Sequence, residues 1–252
     1  MSDSTRPTSA IILAAGIGRR LGEAQEGPKI LLEFGGRTLL SRHLDALDRN
    51  GVTEVSITVG HCRALVEAEV ARLGWSDRVS FVHNPRYREG SLVSLHVQAE
   101  VLRAGQAVLL MDGDVLYDQR MLATLVTAPG ENILLLDREI EPGDEPVKIC
   151  FQGDTIVDFR KRPEHAHERH GESVGFFRFS AATAAALADR CATYVAEGRT
   201  AVEYEEAIRD LILADPTRFR AADVTALPWV EIDFPADVGR ARDEILPQLT
   251  AA

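Results

Sequence analysis

A mostly parallel, doubly wound α/β sheet is the fold the sequence predicts, on three observations. Short apolar runs recur along the first half of the chain, amphipathic stretches alternate with them, and the first run breaks at its carboxyl end into a glycine-punctuated basic loop. Continuous apolar runs suit strands covered on both faces, and such sheets collect ligands at the strands' carboxyl ends.

Residues 11–13 form the first strand, with Gly16 and Gly18 letting the backbone after it turn sharply and present its N–H groups. Runs at 55–59, 79–82, 108–111 and 133–136 read as further strands, and the 39–47, 65–73, 92–102 and 121–126 segments between them as helices. After residue 140 the pattern changes. Residues 148–151 and 155–159 flank Gln152-Gly153-Asp154, whose Gly-Asp turn chemistry predicts a β-hairpin. A strand over 173–179 follows a polar, exposed loop at 163–171, then helices over 181–195 and 203–213. A last strand at 229–233 ends before a helix opened by Pro235. The whole chain, 1–252, reads as one domain, with 1–9 a flexible N-terminus and 140–215 the acceptor-side hairpin and helices.

Composition removes several function classes. The apolar runs are far too short to span a bilayer and residues 1–9 hold no hydrophobic signal core, which predicts a soluble, cytoplasmic protein without a membrane partner. Cys62, Cys150 and Cys191 are odd in number and widely spaced, so they read as reduced thiols rather than a disulfide frame or zinc site. A net charge of −11 argues against a nucleic-acid partner. An anionic substrate must therefore meet a local basic site, and the first loop supplies one.

That loop reads Ala14-Ala15-Gly16-Ile17-Gly18-Arg19-Arg20-Leu21, then Pro28-Lys29. It lacks the Gly-Lys-Ser/Thr of a Walker loop and the G-x-G-x-x-G of a dinucleotide fold. In full, it resembles the signature of the sugar-nucleotide-type, MobA-like nucleotidyltransferases, A-A-G-x-G-x-R-[ML] followed by P-K. The resemblance implies a Rossmann-like, GT-A-like fold in which the loop from Leu13 through Ala14, Ala15, Gly16 and Gly18 wraps a triphosphate. Arg20 and Lys29 would neutralise it, with Arg19 in a variable slot.

Residues 108–114 form an apolar strand that stops at Asp112-Gly113-Asp114, carboxylates suited to a hard divalent cation. By the resemblance, Asp114 is the first ligand of a Mg²⁺ cofactor and Asp112 the second candidate, also facing the nucleotide. Glu231-Ile232-Asp233 followed by Pro235 and Asp237 is similar to the closing motif of cytidylyltransferases for phosphocholine and related head groups. Its aspartate, Asp233, would complete the metal site. Glu231 is expected on the opposite strand face, and Asp237 in the first helical turn as a dipole partner.

Residues 84–95, Asn84-Pro85-Arg86-Tyr87 through Gly90-Ser91-Leu92, also resemble the family. Gly90 would admit a flat base, Ser91 cap the helix and Ser94 sit in its first turn beside the nucleotide, with Asn84 nearby. Phosphocholine-specific relatives more often carry asparagines where Gly90 and Ser91 stand, which leans the reading toward a phosphonate acceptor. Lys161 falls where related transferases place a lysine on the α-phosphate or acceptor, with Lys148 its rival and a solvated hairpin end the structural alternative. His165, His167 and His170 sit among charged residues and read as a solvated loop rather than a metal site. Glu203, Tyr204 and Glu206, with Glu205, either serve the dipole of a helix start or bind a cationic amine.

Together these features predict a CTP-dependent nucleotidyltransferase that joins CMP to a small phosphate or phosphonate head group, 2-aminoethylphosphonate or phosphocholine, with pyrophosphate leaving. Inositol-phosphate, sugar-phosphate and molybdenum-cofactor transferases are the alternatives within the class, and a catalytically silent nucleotide-binding subunit the alternative outside it. A homodimer is compatible with either.

Overall fold

The structure is a computed structural model that describes residues 7–21, 27–141, 143 and 145–249. The first half runs β1 (Ser9–Ala14), β2 (Glu33–Phe34), β3 (Arg37–Thr38), α1 (Leu39–Arg49), β4 (Glu54–Val59), α2 (Arg63–Arg72), β5 (Val79–His83), α3 (Ser91–His96), α4 (Ala99–Leu102), β6 (Val108–Asp112), β7 (Val115–Tyr117), α5 (Arg120–Thr127) and β8 (Asn132–Asp137). The second half runs β9 (Lys148–Gln152), β10 (Thr155–Arg160), β11 (Arg169–Phe179), α6 (Ala181–Ala196), α7 (Glu205–Ala214), β12 (Phe219–Asp223), β13 (Trp229–Glu231) and α8 (Pro235–Arg240).

The mostly parallel central sheet is built as expected. β6, β1, β4 and β5 lie side by side and parallel, and the antiparallel β11 joins β6 to the β9–β10 hairpin and to β8, with β12 parallel to β8 at the margin. Alternate side chains enter different cores. Ile12, Met111 and Phe176 pack with α1, α2 and α5, whereas Ile11, Leu110 and Phe177 pack with α3, α6 and α7. Continuous apolar runs are thus the signature of strands with helices on both faces.

Several boundaries differ from the sequence reading. Residues 1–6 of the expected flexible terminus lie outside the described residues, but Ser9 already pairs with Glu54 and Val108, and the Thr8 carbonyl accepts the amides of Thr53 and Glu54. The 92–102 helix is two pieces, α3 and α4, broken where the buried Gln98 amide turns inward to bond Thr58 and Ser56. The 163–171 loop is shorter than expected because Arg169 already pairs with Phe151 in β11. The short β7–β13 ribbon lies off the main sheet and brings the last strand against the turn after β6. Among the described residues no helix is long and apolar enough to cross a membrane.

One buried acid in this frame couples folding to pH. Glu172 on β11 is 6% exposed and accepts the Glu141 amide at 2.9 Å. Burial, with Glu141 and Asp137 nearby, pushes it from 4.5 up to about 7, against the opposing pull of that amide bond and Arg240. A carboxyl raised on folding contributes most below its unfolded value and loses that contribution as pH rises through the folded one. Wild-type stability should fall by roughly 3 kcal/mol between pH 4.5 and 7.5 from this group. In Glu172→Gln, which keeps the carbonyl acceptor, the fall should flatten when unfolding is followed in denaturant across that range.

Candidate active site

The cleft forms where β1 and β6 end, as parallel strands require. After β1 the chain turns through Gly18, whose φ is +67°; a Cβ there would come within 3.2 Å of the Lys29 stem. Pro28 is extended, and Ile30, 1% exposed, anchors the short turn that aims Lys29 back beneath the loop. The stretch 22–26 between them lies outside the described residues.

Lys29 bridges two distant carboxylates: its Nζ lies 2.9 Å from Asp114 Oδ2 and 2.6 Å from Asp233 Oδ1. Burial opposes the charge, yet Asp114 and Asp233 outweigh it and hold the ammonium above its ordinary value. Arg20 reaches Asp233 at 3.2 Å and Glu145 at 3.1 Å, its guanidinium 5.3 Å from the centre of the half-exposed Phe234 ring. Asp233 is oriented by its own neighbours: Ile232 N donates to Asp114 O, and Asp237 accepts the amides of Asp233 and Phe234. Asp237 is therefore the first-turn partner expected of it, and also fixes the turn that carries Asp233.

Glu231 is a correction. It was expected on the opposite face, but residues two apart on an extended chain point the same way. Ligand oxygens of Asp114, Glu231 and Asp233 all lie within 4.8 Å of one another, the one such potential metal-holding group among the described residues. Loss of water contact in the cleft, then Asp114 and Asp233, pushes Glu231 well above the usual carboxylate range. A hard all-oxygen donor set of this kind fits Mg²⁺. The three histidines form no such group; His165 faces Asp158 and His167 faces His170.

Asp112 lies deeper. The Tyr204 hydroxyl donates to it at 2.6 Å, and burial, then Asp114 and Glu205, pushes it well above its ordinary value. Gly175 bulges β11 with φ +78°, and a Cβ there would strike Asp112 Oδ2. The turn is also held by His43, fully buried, whose Nε2 donates to Gly113 O at 3.2 Å. Burial lowers that imidazole to about 4, so it works as a neutral donor.

Two cavities flank the loop. One of about 230 Å³ is lined by Leu13, Ala14, Gly16, Gly18, Arg19, Arg20, Lys29, Asp114 and Asp233. The other, about 310 Å³, shares Leu13, Gly16, Arg20, Asp114 and Asp233 and adds Ala15, Ser91, Ser94, Asp112, Lys161, Glu203 and Tyr204. Most of the expected site residues thus converge. The sequence reading missed Glu145 and Gly175 on these walls, named Glu205 only alongside its neighbours, and turned Glu231 away. Of these, Gly175 carried a signal, a lone glycine inside an apolar strand pattern.

Five expected residues hold other posts. Asn84 is fully buried, its amide donating to Ser94 Oγ and its carbonyl accepting Arg86 N, so it shapes the loop rather than touching a ligand. Gly90 approaches protein rather than a base, since a Cβ would run into the Val202 backbone, and Gly90 N donates to Thr200 O. Ser91 does not cap α3; its hydroxyl donates to Glu203 at 2.6 Å and accepts Tyr204 N at 2.9 Å. Tyr204, 2% exposed, packs edge-on to Phe177 and supports Asp112 instead of offering an open aromatic wall. Glu206 pairs with Arg160 at 3.1 Å and lines a third cavity. Glu205 takes the inner position. Its Oε2 is shielded with no hydrogen-bond partner, and burial, then Glu203, pushes the acid up to about 8. Of the rival lysines, Lys161 lines the cleft and meets Glu145 at 2.9 Å, whereas Lys148 donates to the Lys161 carbonyl.

Comparisons with known proteins agree with this geometry. A profile of the MobA-like NTP transferase domain matches residues 10–196. The CMP-5'-(3-aminopropyl)phosphonate synthase of Streptomyces rubellomurinus is 30% identical over 245 residues, covering 93% of this chain and 38% of that protein. The bifunctional IPC transferase and DIPP synthase of Rubrobacter xylanophilus is 26% identical over 242 residues, 94% of this chain and 52% of that one. The chain thus spans about half or less of the length of these relatives. In fold it resembles the inositol-1-phosphate CTP transferase from T. maritima, with a TM-score of 0.76 at 20% identity over 98% of this chain and 99% of that one.

If Gly90 serves backbone packing, Gly90→Ala must push residues 200–202 away and should cost about 1–3 kcal/mol of stability in denaturant titrations. A role confined to a bound base would leave the unfolding midpoint where it is.

Proposed function

Because the chain belongs to the MobA-like NTP transferase domain family, we propose that it is a CTP-dependent cytidylyltransferase that couples CMP to a small, aminated phosphate or phosphonate and releases pyrophosphate. The observation that carries this reading is Lys29 bridging Asp114 and Asp233 beneath the glycine loop: a cation and a carboxylate set share one strand-end cleft. The printed name of the Streptomyces relative, a CMP-phosphonate synthase, supports cytidine and a phosphonate. 2-Aminoethylphosphonate and phosphocholine are the acceptors in view, and Glu205, with Glu203 beside it, supports an amine.

In this reading the loop N–H groups, Arg20 and Lys29 hold the β- and γ-phosphates. The acceptor oxygen attacks the α-phosphorus in line; the new P–O bond forms as the bond to the β-phosphate oxygen breaks, and pyrophosphate departs with that electron pair. The acceptor anion is already a nucleophile, so positioning and charge neutralisation carry the rate without a covalent enzyme intermediate. Lys161, held beside Glu145, aligns the acceptor phosphate. Asp114 and Asp233, with Glu231 beside them, would hold Mg²⁺, which when bound draws charge from the phosphate oxygens. Lys29, now paired with Asp114 and Asp233, would exchange part of that pairing for phosphate, freeing the carboxylates that would hold the cation. Intact Lys29, Asp114 and Asp233 weigh against a silent nucleotide-binding subunit.

A pyrophosphate-release screen of all four nucleoside triphosphates against phosphocholine, 2-aminoethylphosphonate, inositol 1-phosphate and glucose 1-phosphate should single out CTP with an aminated acceptor. Chelation of Mg²⁺, and Asp114→Asn or Asp233→Asn in folded protein, should abolish that turnover; full steady-state activity in both variants would remove the carboxylates from the reaction. For the cationic half, Lys29→Ala should lower kcat/KM for CTP roughly 100-fold or more, the scale of one lost charge-stabilising donor. An unchanged value would give the loop another role.

A further inference from the structure

The acceptor cleft does not end at Lys161. Past Glu145, Lys161, Glu203 and Glu205, which line both spaces, it opens into a third chamber of about 500 Å³. That volume lies within the range of pockets that hold drug-sized ligands, roughly 300–1,000 Å³, and exceeds what a two-carbon head group fills. Its walls are of two signs. Glu145, Glu203, Glu205 and Glu206 supply acid, Arg20, Arg160, Lys161, Arg162 and Arg199 supply cations, and Val147, Ala201 and Val202 give apolar surface.

Pairing within the protein shows which charges a ligand would meet. Arg160 is taken by Glu164 at 2.5 Å and Glu206 at 3.1 Å, and Lys161 by Glu145 at 2.9 Å. Arg199 is held differently: its guanidinium stacks 3.9 Å over the Tyr194 ring, and its ion pair is with Glu197 at 3.3 Å, both side chains half exposed. Exposed pairs of that kind contribute little, so a ligand carboxylate exchanges for Glu197 at small cost and gains the planar fork of an arginine fixed by its stacking. On the acidic side Glu203 and Glu205 both line the chamber, a pair of carboxyl groups that a ligand ammonium meets.

We infer that the third chamber receives an α-amino carboxylate, its ammonium on Glu205 and its carboxylate on Arg199, so that the acceptor is an α-amino acid whose side chain ends in a phosphonate or phosphate. This rests on the cytidylyltransfer reading above and narrows its acceptor class.

The test uses two pairs of acceptors that differ only by the carboxylate: 2-amino-3-phosphonopropionate against 2-aminoethylphosphonate, and O-phosphoserine against O-phosphoethanolamine. With CTP and Mg²⁺, pyrophosphate release should give the carboxylated member of the preferred pair at least a tenfold higher kcat/KM, and the faster pair identifies phosphonate or phosphate. In Arg199→Gln that ratio should collapse toward one. Turnover with no preference for the carboxylated members, or a preference that survives Arg199→Gln intact, overturns the assignment while leaving cytidylyltransfer standing. No pyrophosphate from any of the four acceptors overturns the cytidylyltransfer reading, and this one with it.

Discussion

The Lys29 ammonium is the tie on which the site depends. It joins the loop after β1, the turn after β6 and the segment after β13. Asp114, Glu231 and Asp233 are crowded within a few ångströms of one another, and like charges at such range repel strongly in a half-buried cleft. One buried cation offsets part of that repulsion. The neighbouring acids absorb the rest by holding their protons more tightly, as the upward shifts of Asp112, Glu205 and Glu231 record. The site thus gathers more carboxyl groups than its own cations pair, and is arranged to accept further positive charge.

Around this tie the surrounding structure is stiff. Asp112 is locked between the Tyr204 hydroxyl and the Gly175 bulge, Gly113 is held by neutral His43, and Asp233 by the Asp237 carboxylate. None of these supports needs a charge change to work. Carboxylates fixed in advance avoid reorganisation when charge moves in the reaction, which is the usual source of electrostatic rate enhancement.

Much of this was legible in the sequence because the signals are local. Apolar runs marked β1, β4, β5, β6 and β8, and the ordered loop with its arginine and Pro-Lys marked the strand end where Arg20 and Lys29 act. What escaped depends on contacts between distant segments. β12 reads Phe-Arg-Ala-Ala-Asp and carries little apolar pattern; it is a strand because β8 lies beside it. Gly90 and Ser91 looked like ligand-facing residues because a glycine and a helix start look alike whether they face a base or residues 200–204. Glu205 lines the cleft while Glu206 is taken by Arg160, a pairing between distant segments that no local propensity encodes. Glu231 was a misreading of period, since a two-residue step returns the chain to the same face.

The seam between α3 and the 200–204 segment carries a consequence for how such a protein changes over time. Gly90 N meets Thr200 O, Leu92 N meets Val202 O, and the Ser91 hydroxyl joins Glu203 to the Tyr204 amide. One flank of the cleft is therefore stitched to the other mainly through backbone, with the short Ser91 side chain adding a further link. A substitution that reshapes the flank holding Glu203 and Glu205 drags the start of α3 with it. Selectivity for one substrate cannot drift freely while selectivity for the other stays put, and new specificities on this scaffold are confined to those both flanks tolerate together.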